Sequence, residues 1–196
     1  MTGSKSCAAV LLAVCAAACT AAEAEVLNLS AVKPVVLTAH VNGKNASVPK
    51  GARQTVTPEG IVLDYVFPSK GHDACMVEFP VDQKKFSQIT VELTADKPGH
   101  RPFIVLTDKN GEKHYFSLNG SRRIKDQAIK KAGRQKLTTK IQIKNGHPGE
   151  YFAFRWGGDD NQVIDFPVKK IMLGLNDYPD ESTGTGRIVF HSITFK

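Results

Sequence analysis

The residues best suited to chemistry in this chain lie together in Arg155-Trp156-Gly157-Gly158-Asp159-Asp160-Asn161-Gln162, and Trp156 is the only tryptophan. An indole offers an apolar plate to the C–H face of a sugar ring, while carboxylates and amides hold the hydroxyls around it. Two glycines let the backbone turn tightly and bring Asp159, Asp160 and Asn161 beside that plate, with Tyr178 placed to help. The same residues admit a structural reading. Phe152, Phe154 and Trp156 alternate, so one face could bury all three and leave the acids to decorate a turn.

Patterns that carry catalysis are missing. The sequence holds no G-x-S-x-G, no H-E-x-x-H, no P-loop and no paired cysteines at zinc spacing. Its six histidines (His40, His72, His100, His114, His147, His191) show no i, i+2 or i, i+4 pairing, and read as surface or strand residues rather than ligands. Asp159-Asp160 and Asp180-Glu181 are the acid pairs that could serve glycoside hydrolysis, which needs carboxyls roughly 5–10 Å apart. Adjacent acids in polar loops are solvated instead. The chain reads as a binding or interaction module, not an enzyme.

The first 24 residues have the three-part pattern of a secretory signal peptide: Lys5, an apolar run from Ala8 to Ala18, and Ala22-Glu23-Ala24 as a small-x-small cleavage site. Eleven apolar residues are too few to cross a bilayer as a helix, and no later stretch is longer, so no transmembrane segment is expected. The chain is expected to be secreted or periplasmic, with residues 25–196 as one domain. The alternative is an outer-surface lipoprotein anchored at Cys19, which follows Ala18. Removing the leader takes Cys7, Cys15 and Cys19 with it, leaving Cys75 as a lone, buried strand thiol with no disulfide partner.

The net charge is +7. Arg122 to Lys140 holds eight basic residues against one acid, Asp126. Such a stripe either attracts a polyanion, an anionic glycan among the candidates, or is a solvated excursion. It has no interleaved aromatics for stacking bases, so nucleic acid is not expected as a partner.

β-rich stretches recur at short spacing near 34–41, 60–67, 73–80, 87–95, 102–107, 113–118, 138–144, 151–156, 168–175 and 186–195, with turn residues between them. This is the signature of a sandwich or barrel. In residues 87–95, Ile89, Val91 and Leu93 share one face of a half-buried strand. Asn110-Gly111 predicts a hairpin closed by a type I′ turn. Asn145-Gly146 with Pro148-Gly149 predicts another turn. Residues 122–136 are expected to form a short helix or a basic loop that projects from the sandwich, since Gly133 interrupts a weak apolar stripe.

Trp156-Gly157-Gly158, the polar segment to Pro167, the Leu173-Gly174-Leu175 strand and the final Gly186–Phe195 strand resemble the galactose-binding-like, carbohydrate-binding-module-type jelly rolls. In particular they resemble N-terminal modules of secreted planctomycete- and verrucomicrobial-type glycosidases. The resemblance implies an all-β, two-sheet antiparallel sandwich that binds a poly- or oligosaccharide. It also implies a structural calcium held by acids near the closing strand, but His191-Ser192 stand where an Asp pair is usual, so no cofactor is expected. Together these readings predict an exported, non-catalytic glycan-binding module using Trp156, Asp159, Asp160, Asn161 and Tyr178. The alternative is a structural or protein-interaction sandwich without sugar affinity, binding polyanions through 122–140.

Overall fold

A computed structural model describes residues 24–119, 126–141, 152–177 and 183–196. They form β1 (Glu25–Asn28), β2 (Val36–Val41), β3 (Lys44–Ala46), β4 (Arg53–Thr57), β5 (Gly60–Phe67), β6 (Ala74–Gln83), β7 (Gln88–Ala95), β8 (Arg101–Thr107), β9 (Lys113–Ser117), β10 (Gly133–Lys140), β11 (Phe152–Trp156), β12 (Val168–Asn176) and β13 (Gly184–Phe195). A 3-10 turn, Leu29–Ala31, follows β1 and is capped by the Asn28 side chain, which accepts from Ser30 N. Among the described residues no helix is long and apolar enough to cross a membrane.

The strands build two antiparallel sheets packed as a jelly-roll sandwich. One has the order β10-β7-β13-β5-β4 with β1 added along β13; the other runs β11-β9-β8-β12-β6-β2-β3. β13 is long enough to serve three partners: its first half pairs with β5, its second half with β7, and its last four residues with β1. The first and last strands therefore lie together. Between the sheets sit fully buried Phe67, Phe79, Phe116, Phe190 and Phe195 with the branched aliphatics of every long strand, a core dense enough to hold the domain without a disulfide. Ile89, Val91 and Leu93 point into it as the alternation requires. Cys75 is buried and unpaired, and burial pushes its thiol up from the ordinary range.

Three sequence expectations are corrected. Residues 133–136, expected in a helix or projecting loop, instead open edge strand β10, which is paired along its length with β7 and starts ahead of the strand expected near 138–144. Leu137 and Thr139 are buried while Arg134, Lys136 and Lys140 face water. With one aliphatic residue, this strand shows no hydrophobic alternation; its order comes from hydrogen bonds to β7. Ahead of it, Ile129 is buried and exchanges backbone hydrogen bonds with Gly99 and His100, so this part of the segment is packed down. The hairpin between β8 and β9 is present, but its turn is not type I′: Gly111 alone has a positive φ (86°), and five residues, 108–112, form the loop. Strands β1, β3 and β4 were not anticipated. The leader to residue 23, Arg122, Arg123, Lys125 and the Asn145-Gly146 turn lie outside the described residues.

Candidate functional site: a groove on the outer face of the seven-stranded sheet

The outer face of the seven-stranded sheet carries a second apolar cluster, separate from the core: Ala74, Met76, Phe103, Val105 and Tyr115, with Met172 against them. β8 shows why. Its residues 102–106 are all buried, so both faces of the strand are apolar, although an antiparallel sandwich strand ordinarily alternates. The register arranges this outer face in rows. Val105, Tyr115, Phe154, Met172 and Glu78 lie in one row, and Phe103, Ser117, Gly174, Met76 and Thr38 in the next. Gly174 is needed in the floor: a methyl there would lie 2.6 Å from Phe103 Cζ and 2.7 Å from Met76 Cβ. These rows floor a groove of about 530 Å³, rimmed by Phe154, Trp156 and Lys113 at one side and by His40, Asn45 and His72 at the other.

A ladder of rings crosses this groove. Phe103 stacks on Tyr115 (centroids 4.8 Å apart, planes at 25°), Tyr115 on Phe154 (4.7 Å, 16°) and Phe154 on Trp156 (5.3 Å, 26°). The first two rings are buried. Phe154 is 51% exposed and Trp156 39%, so the ladder emerges from the floor onto the rim. Arg101 lies over the Tyr115 ring and Lys113 over the Trp156 ring, with the charged groups 5.7 and 5.9 Å from the ring centres. The Tyr115 hydroxyl accepts from Asn176 Nδ2 (3.1 Å), and burial pushes the phenol up to about 12.

The Trp156-Gly157-Gly158 segment positions the rim. Both glycines have positive φ (75° and 62°), and a Cβ on Gly158 would stand 2.3 Å from Glu112 N. The glycines thus let this loop lie backbone to backbone on the β8–β9 hairpin. Arg155 fastens the two together, with Nε 3.2 Å from Glu112 Oε1 and Nη2 3.2 Å from Asp160 Oδ1. Asn110 Nδ2 and Asn161 Nδ2 each donate to Asp159 Oδ2 and Asp165 Oδ2 at 2.9 Å. The Asn161 bond is the main reason that the Asp165 carboxyl lies below the usual carboxylate range.

Of the residues expected to bind, Trp156 lines the groove. Asp159, Asp160 and Asn161 do not: their side chains turn to Asn110, Asp165 and Arg155 and brace the loop beneath the indole. Tyr178 lies outside the described residues. The reading of Trp156 as a core cap fails, because Phe154 and Trp156 share the outer face of an edge strand. Phe103, Tyr115, Met76 and Met172 were missed. The available signal was the apolar content of β6, β8 and β12 on both faces.

Among the described residues, one group of side chains could hold a cation. Asp108, Glu112 and His114, all buried, bring ligand atoms within 4.8 Å of one another. Asp108 Oδ1 accepts from the amides of Asn110 and Glu112 and its Oδ2 from that of Asp165, which closes the hairpin loop. Burial pushes the His114 imidazole down, against the pull of Glu112 and Asp108. The i, i+4, i+6 spacing across a hairpin escaped the search for paired histidines. At the closing strand, His191 is hydrogen-bonded to Thr94 Oγ1 and to the Glu59 carbonyl, each at 2.8 Å.

Solved structures share this architecture. A family 11 carbohydrate-binding module from Clostridium thermocellum, in complex with a β-1,3-1,4-mixed-linked tetrasaccharide, aligns with TM-score 0.54 and 10% identity over 88% of this chain and 94% of its own. The family 11 module of the cellulosomal cellulase Lic26A-Cel5E of the same organism aligns with TM-score 0.52 and 11% identity over 90% and 95%. The fold is the jelly roll of carbohydrate-binding modules. No protein-family model matches the sequence, and no curated protein sequence matches it.

Proposed function

We propose that this chain is an exported, non-catalytic module that binds a poly- or oligosaccharide in the groove of its seven-stranded sheet. The ring ladder Phe103–Tyr115–Phe154–Trp156 carries the reading, because it ends in two half-exposed aromatics on the rim of the groove. Sugar C–H faces pack on such rings, and Asn176, Arg101 and Glu78 supply hydrogen bonds from the floor. Asp159, Asp160 and Asn161 contribute by holding Trp156 in place. Export accords with β1 starting at Glu25, the residue that cleavage after Ala24 would leave first.

The basic segment is a weaker candidate surface. Arg134 is 2.7 Å from Glu92 and Lys130 3.7 Å from Asp126, so part of its charge is spent within the protein, on the sheet opposite the groove.

The test is calorimetric titration of oligosaccharides into the wild type, Trp156→Ala and Phe154→Ala, with tryptophan fluorescence as a second readout for the wild type and Phe154→Ala. Each should weaken binding by about 2 kcal/mol, roughly 30-fold, as for an exposed aromatic anchor. Each should cost only about 1 kcal/mol or less of stability, since neither ring is core. Unchanged affinity in both variants would remove the groove as the site, and no binding of any oligosaccharide by the folded wild-type protein would favour the interaction-module alternative.

A further inference from the structure

We infer that Asp108, Glu112 and His114 form a binding site for a divalent transition ion of the zinc class, set in the hairpin that supports Trp156. The site stands apart from the groove, and it does not depend on what the groove binds.

The three residues come together for local reasons. Asp108 opens the loop between β8 and β9 and Glu112 closes it. His114 lies two residues further on, so the alternation of an extended chain turns it to the same side as Glu112. That side is the interior, and all three side chains are buried. His114 Nε2 lies 3.6 Å from Asp108 Oδ2 and 3.8 Å from Glu112 Oε2. One donor atom from each residue falls within 4.8 Å of the other two. A point equidistant from three such atoms is roughly 2.4 Å or less from each, and a small closure reaches zinc–nitrogen and zinc–oxygen bond lengths of about 2.0–2.2 Å.

Glu112 carries the observation that points to a ligand. Its side chain is fully buried, and its Oε1 meets Arg155 Nε at 3.2 Å. Its Oε2, the oxygen turned to His114, makes no hydrogen bond among the described residues. A buried carboxylate oxygen left so is costly, and buried charges are ordinarily paired or bound to a metal. Protonated His114 is a poor source of the balancing charge, because burial pushes its imidazole down. A metal ion supplies that charge while bonding to the unprotonated nitrogen.

The contacts around the three donors are those that orient metal ligands. Asp108 Oδ1 accepts from the Asn110 and Glu112 amides, and its Oδ2 accepts from the Asp165 amide with a lone pair to spare. Arg155 holds the outer oxygen of Glu112. The donor set selects the ion. One imidazole nitrogen with two carboxylate oxygens suits zinc and its neighbours, whereas calcium takes roughly six to eight oxygens. Gly158 packs on the Glu112 backbone, so a bound ion would brace the support beneath the Trp156 loop.

The experiment uses the full chain, stripped with a chelator and titrated with zinc chloride by calorimetry at neutral pH. One zinc per chain should bind with low-micromolar affinity or better. Zinc at about 100-fold above its Kd should raise Tm by roughly 5–10 °C. Cobalt(II) in the same site should show the visible absorption of a low-coordinate nitrogen–oxygen set. Glu112→Gln keeps the shape of the side chain. It should weaken zinc binding by more than about 100-fold, beyond what loss of a merely supporting residue costs, and abolish the Tm rise. His114→Gln removes the nitrogen independently and decides the matter if Glu112→Gln does not fold. Replacing His40 and His72 with Gln, a control for surface imidazoles, should leave zinc binding intact. No zinc-dependent rise in the wild type, a rise kept in either folded site variant, or a rise lost with His40 and His72 would overturn the inference. Calcium raising Tm as much as zinc, with its effect lost in Glu112→Gln, would overturn the assignment to a transition ion. None of these outcomes bears on glycan binding, which is read separately through Trp156 and Phe154.

Discussion

Replacing Gly158 with alanine separates two costs that its neighbour Gly157 cannot. Both residues have positive φ, 75° at Gly157 and 62° at Gly158, where an L-residue with a Cβ loses roughly 1–2 kcal/mol. At Gly157 the added methyl meets nothing nearer than Gly111 O at 3.4 Å. At Gly158 it would stand 2.3 Å from Glu112 N, 2.5 Å from its Cα and 2.6 Å from its Cβ. That backbone cannot yield cheaply, because Asp108 Oδ1 holds the Asn110 and Glu112 amides at 2.9 Å each. Overpacking a fixed contact costs about 1–3 kcal/mol more. Gly157→Ala should therefore lose about 1 kcal/mol and Gly158→Ala about 3 kcal/mol; at roughly 2–4 °C per kcal/mol for a domain of this size, these are Tm shifts of about 3 and 9 °C. Thermal unfolding followed by circular dichroism reads both. Gly158→Ala should also weaken glycan binding, since the loop that carries Trp156 must lift from the hairpin. Equal losses at the two positions would refute the claim that loop and hairpin touch through their backbones.

Two further predictions follow from the other side of the groove. Asp177 is fully buried, and burial, with the Asp73 carboxylate adding to it, pushes its carboxyl up to about 6. A carboxyl raised above its unfolded value near 3.9 binds its proton more tightly when folded, so stability falls as pH rises from about 4 through 6. Asp177→Asn should thus stabilise the protein by about 2 kcal/mol at pH 8 and leave it unchanged at pH 3.5, measured by denaturant midpoint; a benefit of equal size at both pH values would contradict this. Gly174→Ala places a methyl among Phe103 Cζ, Met76 Cβ and the Cys75 carbonyl at 2.6–2.8 Å. It should cost about 2 kcal/mol and tilt Phe103 off Tyr115, weakening glycan binding; native-like stability would show that the groove floor is slack.

How legible this site was depends on the kind of information each residue carries. Alternation in Phe152–Trp156 declared that Phe154 and Trp156 share a face, but not which face, because period two is the same whether the face meets core or water. The answer lay in the partner. Tyr115 stands opposite Phe154, and it points outward because its neighbours His114 and Phe116 point in. Likewise the Gly-Gly pair announced a tight approach, and the sequence could not say that the approach was to Glu112 rather than to a ligand. Strand existence was readable wherever aliphatics alternated, as in Ile89, Val91 and Leu93, and unreadable where pairing alone makes the strand, as in residues 133–136. Charge shows the contrast most clearly. Along the chain the conspicuous feature is the basic run through Lys130, Lys131 and Arg134, yet ion pairs partly neutralise that run. Lys113 is unremarkable in sequence, and only the pairing of β9 with β11 brings it over the Trp156 ring. A groove assembled across strands is written in register, and register is the property that a sequence of alternating residues leaves open until its neighbours are known.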